Sequence, residues 1–416
     1  MVRVNPFEAV RPAPGRAEAV AAPPYDVVDT PEARAIAGDN PDCFLRVTRP
    51  EIDLPDGTDP YADDVYDRAR DALGGLIDRG ALVRDPERAI YLYAQECELV
   101  GRHVRQVGVV ACCHIEDYLA DRIRKHEKTR KAKEDDRTRH VLETNANAGP
   151  VFLMHKDDAA IAGLVRRDTA GEPLYDLTAS DGVRHTVWKA PDPAPYVEAF
   201  ARHDAVYVAD GHHRAASAAR AGAERRAGNP GHTGEEEYNW FLTVLFPAGE
   251  LTILPYHRVV RDLNGHDAAE VLEALRGVGE VERMDGVEMY PALEPGTFGV
   301  FVGGDWWSVR FADAPDPAAD PVAALDYQRV YDRVLRPIFG IGEIRTDERV
   351  DFVGGIRGTA ELENRVAGGG WGAAIAMPAV TIDRLMAVSD AGMVMPPKST
   401  WFEPKLRSGL LVHMLD

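Results

Sequence analysis

The chain has 416 residues, more than one ordinary core organises, and a length of ~150 residues per domain predicts roughly two to three units. Charged residues make up 28% and hydrophobic ones 45%, a soluble globular balance that excludes collagen-like, disulfide-framework and wholly disordered chains. Lys and Arg number 48 against 68 Asp and Glu, a net charge of −20, so bulk nucleic acid and anionic membrane are repelled and any bound anion needs a local basic site.

In chain order, the first forty residues are rich in Pro and Ala, and Pro23-Pro24-Tyr25-Asp26 is too proline-dense for a helix or a central strand. Tyr61, Val65, Ala69, Leu73 and Leu76 recur at helical spacing and predict an amphipathic helix over 60–80, ended by Gly80. Ala89–Cys97 and Val104–His114 read as two strands of a hairpin. Residues 122–139 then carry nine Lys or Arg against four acids, a local excess of +5. Ala148–His155 predicts a short strand, Asp157–Val165 a helix and His185–Lys189 a further strand. Ala205–Ala209 is a buried-strand candidate, Asp210–Arg214 a turn and Ala215–Ala223 an alanine-rich helix. Asn239–Phe246 and Leu251–Val260, joined through Pro247–Glu250, read as a second hairpin. Beyond lie a helix near Ala268–Gly277, strands near Gly299–Phe311, a helix at Val322–Leu335 and a terminal apolar segment. Helices and hairpins without regular β-α alternation point to an α+β chain of mixed sheets with flanking helices.

Chemistry concentrates at Asp210-Gly211-His212-His213-Arg214. A glycine between strand and helix permits a tight turn, and the helix start offers backbone N–H groups that bind anions. Arg214 can grip a phosphate with two parallel hydrogen bonds, and the two histidines add donors. Asp210 would repel phosphate, and is useful there if it holds a divalent cation or a substrate hydroxyl. The bland alternative is a capped helix with two surface histidines. Zinc is disfavoured, because adjacent histidines rarely face one metal and no H-E-x-x-H or cysteine cluster completes a set.

In the basic segment, Glu127 follows His126 and has Lys125, Lys128 and Arg130 around it, which favours its ionised form. The competing reading is a solvated helix with pairs such as Lys131 with Asp135. If the segment faces the turn, Lys133 and Arg137 reach the same anion. Thr144 precedes a strand and could donate to a substrate. His257 and the Pro396-Pro397-Lys398-Ser399-Thr400 loop are further candidate contacts, each equally suited to a structural role.

The run 207–218, Tyr-Val-Ala-Asp-Gly-His-His-Arg-Ala-Ala-Ser-Ala, resembles the signature of the DUF-1015 family. So do Asn5-Pro6-Phe7 with Pro23–Val27, His126–Thr129 with Lys133 and Asp136-Arg137, Leu254–Arg258, and Met395–Thr400 through Phe402, Pro404 and Lys405. The turn also resembles the phosphate-binding turn of the ParB/sulfiredoxin-like superfamily, which includes nucleotide-dependent free serine kinases. Sulfiredoxin has a reactive Cys in that turn, where this chain has His212 or His213.

The resemblance implies a strand–phosphate loop–helix unit and three regions: 1–120 N-terminal, 121–260 the phosphate-binding core, and 261–416 C-terminal, packing on the core. It implies a phosphotransferase of the free serine kinase type. ATP, ADP or pyrophosphate would be the donor, with Mg²⁺, and a hydroxyl amino acid such as free serine the acceptor. Glu127 matches the base of those kinases. Asp210 would orient the hydroxyl or hold Mg²⁺, Gly211, His212, His213, Arg214, Lys133 and Arg137 would hold phosphates, and His126, Thr144, His257 and Lys398 would contact substrate. A phosphoester hydrolase using the same anion site is the alternative. A ParB-like nucleotide-binding DNA regulator is a third reading, which lacks a visible helix-turn-helix or basic domain. No Walker A loop or protein-kinase signature is present. Four cysteines without C-x-x-C spacing, no signal-peptide pattern and no apolar run of about 18 residues predict a soluble cytoplasmic protein with reduced thiols. No nucleic-acid or membrane partner is expected, and a homo-oligomer remains compatible.

Overall fold

The computed structural model describes residues 1–285 and 293–416. Among them lie thirteen α-helices and several sheets, an α+β arrangement. The chain divides into two units, Met1–Leu251 with Pro404–Asp416, and Thr252–Glu403.

The first unit is built on a nine-stranded sheet. Its strands are β1 (Val4–Asn5), β2 (Tyr91–Leu99), β3 (Arg102–His114), β4 (Ile123–Arg124), β5 (Val151–His155), β6 (Tyr175–Thr178), β7 (Arg184–Lys189), β8 (Val206–Asp210) and β9 (Trp240–Pro247). The order is β4-β8-β5-β9-β3-β2-β7-β6, with β1 added beside β3. Strands β4 and β8 run parallel, as do β5 and β9, and the other pairs are antiparallel. The β2–β3 hairpin closes on Val100 and Gly101 alone, both at positive φ (52° and 71°). Two consecutive positive-φ residues match the twist of the flanking strands, which is why each strand runs further than its apolar stretch predicts.

Three helices of this unit are α1 (Lys131–Thr144), α2 (Ala159–Asp168) and α3 (His212–Gly228). Alanines let α3 lie close to its neighbours, with Ala215, Ala216, Ala218, Ala219 and Ala221 all buried. At Gly222 the approach is closest, since a Cβ there would stand 2.3 Å from the Tyr238 carbonyl oxygen and 2.8 Å from Ile115 Cδ1. Overpacking of that kind costs about 1–3 kcal/mol. A smaller four-stranded sheet (Leu82–Arg84, Ala9–Pro12, Val412–Met414, Ala146–Asn147) brings the C-terminus back into this unit.

The second unit contains a six-stranded antiparallel sheet of β10 (Tyr256–Val260), β11 (Gly279–Met284), β12 (Thr297–Val302), β13 (Asp305–Phe311), β14 (Val350–Gly354) and β15 (Ala373–Ala376). Its order is β11-β13-β12-β15-β10-β14. Thr252–Leu254 and Trp401–Glu403 form a separate two-stranded ribbon.

The expected second hairpin does not form. Strand β9 pairs with β3 and β5, whereas β10 pairs with β14 and β15 in the other unit. Both stretches are almost wholly buried, so neither shows the alternation that would name its partner, and short spacing alone suggested a pair. The helix expected over Val322–Leu335 is shorter, with Asp326–Val330 α-helical and Tyr331–Leu335 widened into a π turn.

Candidate functional site

Strand β8 ends at Asp210, and the connection to α3 is the single residue Gly211 at φ 92°, ψ 31°. The expected five-residue turn therefore shrinks to one residue, and His212, His213 and Arg214 form the first turn of a 17-residue helix. Their backbone N–H groups are ones the helix cannot satisfy itself. The Arg214 side chain folds back over the turn, so that a Cβ on Gly211 would lie 3.1 Å from its guanidinium carbon. Glycine is required twice over, by the positive φ and by the guanidinium.

Asp210 lies between two cations, Lys405 and Arg214. Its Oδ1 accepts from the Gly211 N–H at 2.7 Å, and its Oδ2 accepts from Lys405 Nζ at 3.2 Å. The Arg214 guanidinium stands 3.8 Å from Asp210 and 3.9 Å from Asp26. Burial would raise the Asp210 carboxyl, but Lys405 and Arg214 outweigh it and hold the group well below the usual carboxylate range. Burial likewise opposes the charge of Arg214, and Asp26 with Asp210 overcomes it. Asp210 is thus a fixed anion and a poor proton acceptor at neutral pH. Its oxygens are taken by an amide and an ammonium, and among the described residues no group of three His, Cys, Asp or Glu could share an ion. Mg²⁺ is usually held by one or two carboxylates together with substrate phosphates, and Asp210 would have to exchange its ammonium partner to join such a set.

Lys405 arrives from the C-terminal segment, which buried amides fix in place. Gln95 Nε2 donates to the Lys405 carbonyl at 2.8 Å, and Gln106 Nε2 donates to Gln95 Oε1 at 2.9 Å. Next to it the Arg407 N–H donates to the Tyr93 hydroxyl at 3.2 Å.

The basic segment reaches this turn because β4 pairs parallel with β8, Ile123 opposite Val206 and Arg124 opposite Tyr207. His126 is buried with its ring edge-on to His212, centroids 4.5 Å apart. Burial pushes His126 down to about 3 and His212 to about 4, so both are neutral at pH 7. The buried His212 Nε2 has no hydrogen-bond partner. His213 accepts the Arg130 N–H on Nε2 at 3.1 Å, which fixes its proton on Nδ1, and burial lowers it also. The histidines therefore bring donors and acceptors but no positive charge. Arg214 supplies the charge of the turn itself. Glu127 is half-buried, and its charge acts on both His126 and His213.

Helix α1 packs on α3, with Ser217 Oγ donating to the Glu134 carbonyl at 3.3 Å. Arg137 is held by Asp136 (Nε to Oδ2, 2.9 Å) and lies 4.5 Å over the Tyr25 ring. It shares with Arg214, Tyr25, Thr48, Ser217 and Ser408 a cavity of about 40 Å³. Lys133 is exposed, 6.0 Å from the Tyr61 ring, and its charge acts on His213. Thr144 is spent locally, since its buried hydroxyl donates to the His140 carbonyl at 2.6 Å. His257 and Lys398 belong to the second unit. There His257 Nδ1 accepts from the Met377 N–H at 3.1 Å, and Lys398 Nζ donates to the Tyr256 hydroxyl at 3.4 Å.

Residues that the motif reading did not assign to the site are Lys405, Asp26, Tyr25 and the Arg130 amide. Tyr25, Asp26 and Lys405 lie within the quoted family segments and Arg130 directly follows one, which was the available signal. Among the described residues no helix is long and apolar enough to cross a membrane.

Among solved structures, free serine kinase in complex with AMP is 14% identical, with TM-score 0.34, over 73% of this chain and 92% of that one. SbnI with C-terminal truncation from Staphylococcus aureus is 12% identical, with TM-score 0.38, over 73% and 87%. A conserved hypothetical protein from Pyrococcus furiosus is 13% identical, with TM-score 0.34, over 73% and 95%. Likeness at this level carries no chemistry from one chain to another. No curated protein matches the chain. The family described as "Protein of unknown function (DUF1015)" matches residues 4–328, short of the 395–405 segment, and the chain belongs to that family.

Proposed function

We propose that the chain is a small-molecule phosphotransferase, moving a phosphoryl group from ATP, ADP or pyrophosphate to a hydroxyl amino acid such as free serine. The observation that carries this reading is the helix start at Gly211, with Arg214 folded over it and Asp210 neutralised by Lys405. We read β8, Gly211 and α3 as a phosphate-binding unit of the ParB/sulfiredoxin-like type, lying within the core of residues 121–260. Donor phosphates would rest on the N–H groups of His212, His213 and Arg214 and against the Arg214 guanidinium. Positioning and charge neutralisation are most of what phosphoryl transfer asks of a protein.

Glu127 is the base in this scheme. It takes the acceptor's hydroxyl proton as that oxygen bonds to the terminal phosphorus, and the bridging P–O bond breaks to release ADP, AMP or phosphate. Asp210 cannot share this task, because Lys405 and Arg214 keep it ionised without affinity for a proton. Its part is to fix Arg214 and Lys405. The test is ³¹P NMR of each donor with and without L-serine. A phosphoserine resonance that needs both protein and serine supports the reading. Release of inorganic phosphate at the same rate without serine replaces it with the hydrolase.

A further inference from the structure

A second cavity, of about 730 Å³, lies in the first unit where β5 and β9 end, with α2 as its other wall. Asp210 is placed elsewhere along the sheet, opposite Phe152 and three residues before His155 on β5. The volume is in the range of small-molecule sites, roughly 300–1,000 Å³. Its floor is apolar: Val109 and Leu245 are cross-strand partners, Val107 continues the same face, and Ile161 and Val165 face them from α2.

One end is polar and built. His155 is 1% exposed, and its Nδ1 is 2.8 Å from the Lys156 carbonyl, which can only accept. The proton is therefore on Nδ1, and the buried Nε2 is a lone pair with no hydrogen-bond partner. Burial keeps this ring neutral, at about 4. Leaving such an acceptor unmatched is costly, so the group that satisfies it must bring a hydrogen. Asp157 and Asp158 line the same end. Asp158 caps α2 through the Ala160 and Ile161 N–H groups and has His203 Nε2 at 3.3 Å, and Asp157 accepts from the Gly249 N–H at 2.9 Å. Glu250 adds a third carboxylate to the lining. Of the two arginines there, Arg105 is 3.7 Å from Glu96 and Arg166 is exposed near the far end of α2.

We propose that this cavity is a binding site for a small amine, with an apolar body on Val107, Val109, Ile161 and Leu245 and an ammonium group donating to His155 Nε2 beside Asp157 and Asp158. The site is independent of the phosphotransferase reading.

Benzylamine and benzoate share a skeleton and differ in charge, so calorimetric titration of the whole chain with each at pH 7.5 tests the assignment. Benzylamine is expected to bind saturably and at least about tenfold more tightly than benzoate, the scale of one charged hydrogen bond. Ala162→Trp, which fills the cavity from α2, abolishes that binding with the melting temperature retained. His155→Phe keeps the ring packed on Phe200 and removes the acceptor, and weakens benzylamine about tenfold while leaving toluene binding unchanged. Equal affinity for the two probes, no saturable binding of benzylamine, or unchanged binding in Ala162→Trp overturns the proposal.

Discussion

Two buried imidazoles of the first unit invite comparison. His212 at the start of α3 and His155 at the end of β5 are both neutral, both held near 4 by burial, and both leave Nε2 without a partner. Their surroundings differ in sign. Around His212 stand a helix start and Arg214, with Lys405 tied to Asp210. Around His155 stand Asp157, Asp158 and an apolar wall. On the two proposals above, the same ring would serve an anion site in one place and an amine site in the other. Neighbouring charge would then select the ligand, with the imidazole supplying a fixed polar contact.

If that contrast holds, variants at one end should leave the other untouched. The largest effect is expected at Glu127, where Glu127→Gln should lower phosphoryl transfer by about 10²–10⁴-fold, the usual contribution of a positioned base. Donor affinity and benzylamine binding should persist, as turnover and titration on one preparation will show. Acid should act on both ends alike. His126, His212 and His155 sit at about 3, 4 and 4 when folded and near ~6.5 when unfolded. Their stabilisation is complete above the unfolded value and is lost as pH falls from about 6.5 toward about 4, because the unfolded chain binds more protons there. Melting temperatures should therefore drop between pH 7 and pH 5, and a flat profile would contradict buried neutral rings.

Arg214→Ala should weaken pyrophosphate binding by roughly 10–100-fold, the scale of hydrogen bonds from a charged group, with benzylamine affinity unchanged in the same calorimeter. The smallest effect belongs to Gly211→Ala, which forces a Cβ into a left-handed residue and against the Arg214 guanidinium. A loss of about 1–2 kcal/mol in denaturant unfolding is expected, along with weaker pyrophosphate binding as Arg214 is displaced.

Legibility in the sequence divides along the same line. Asp210 to Arg214 could be read because local order suffices: a short apolar strand, one glycine and an alanine-rich helix dictate a helix start whatever surrounds it. The extent of the turn could not, since only the pairing of Asp210 with Phe152 shows that β8 runs to its last residue. Lys405 is 195 positions from Asp210 and arrives through the returning C-terminal segment, which no periodicity announces. The neutrality of His212 and His213 was hidden too, because it comes from burial in the folded chain. His155 ends an apolar run and looked like part of a core strand. The false hairpin of 239–246 with 251–260 failed for a related reason, as buried strands carry no mark of their partner.

The most direct test of the proposed anion site is an amide chemical-shift titration with pyrophosphate on protein labelled for observation of His212, His213 and Arg214. Saturable shifts of these three N–H groups are expected, absent in Arg214→Ala at the same concentrations. Saturable pyrophosphate binding that leaves all three amides unmoved would contradict it.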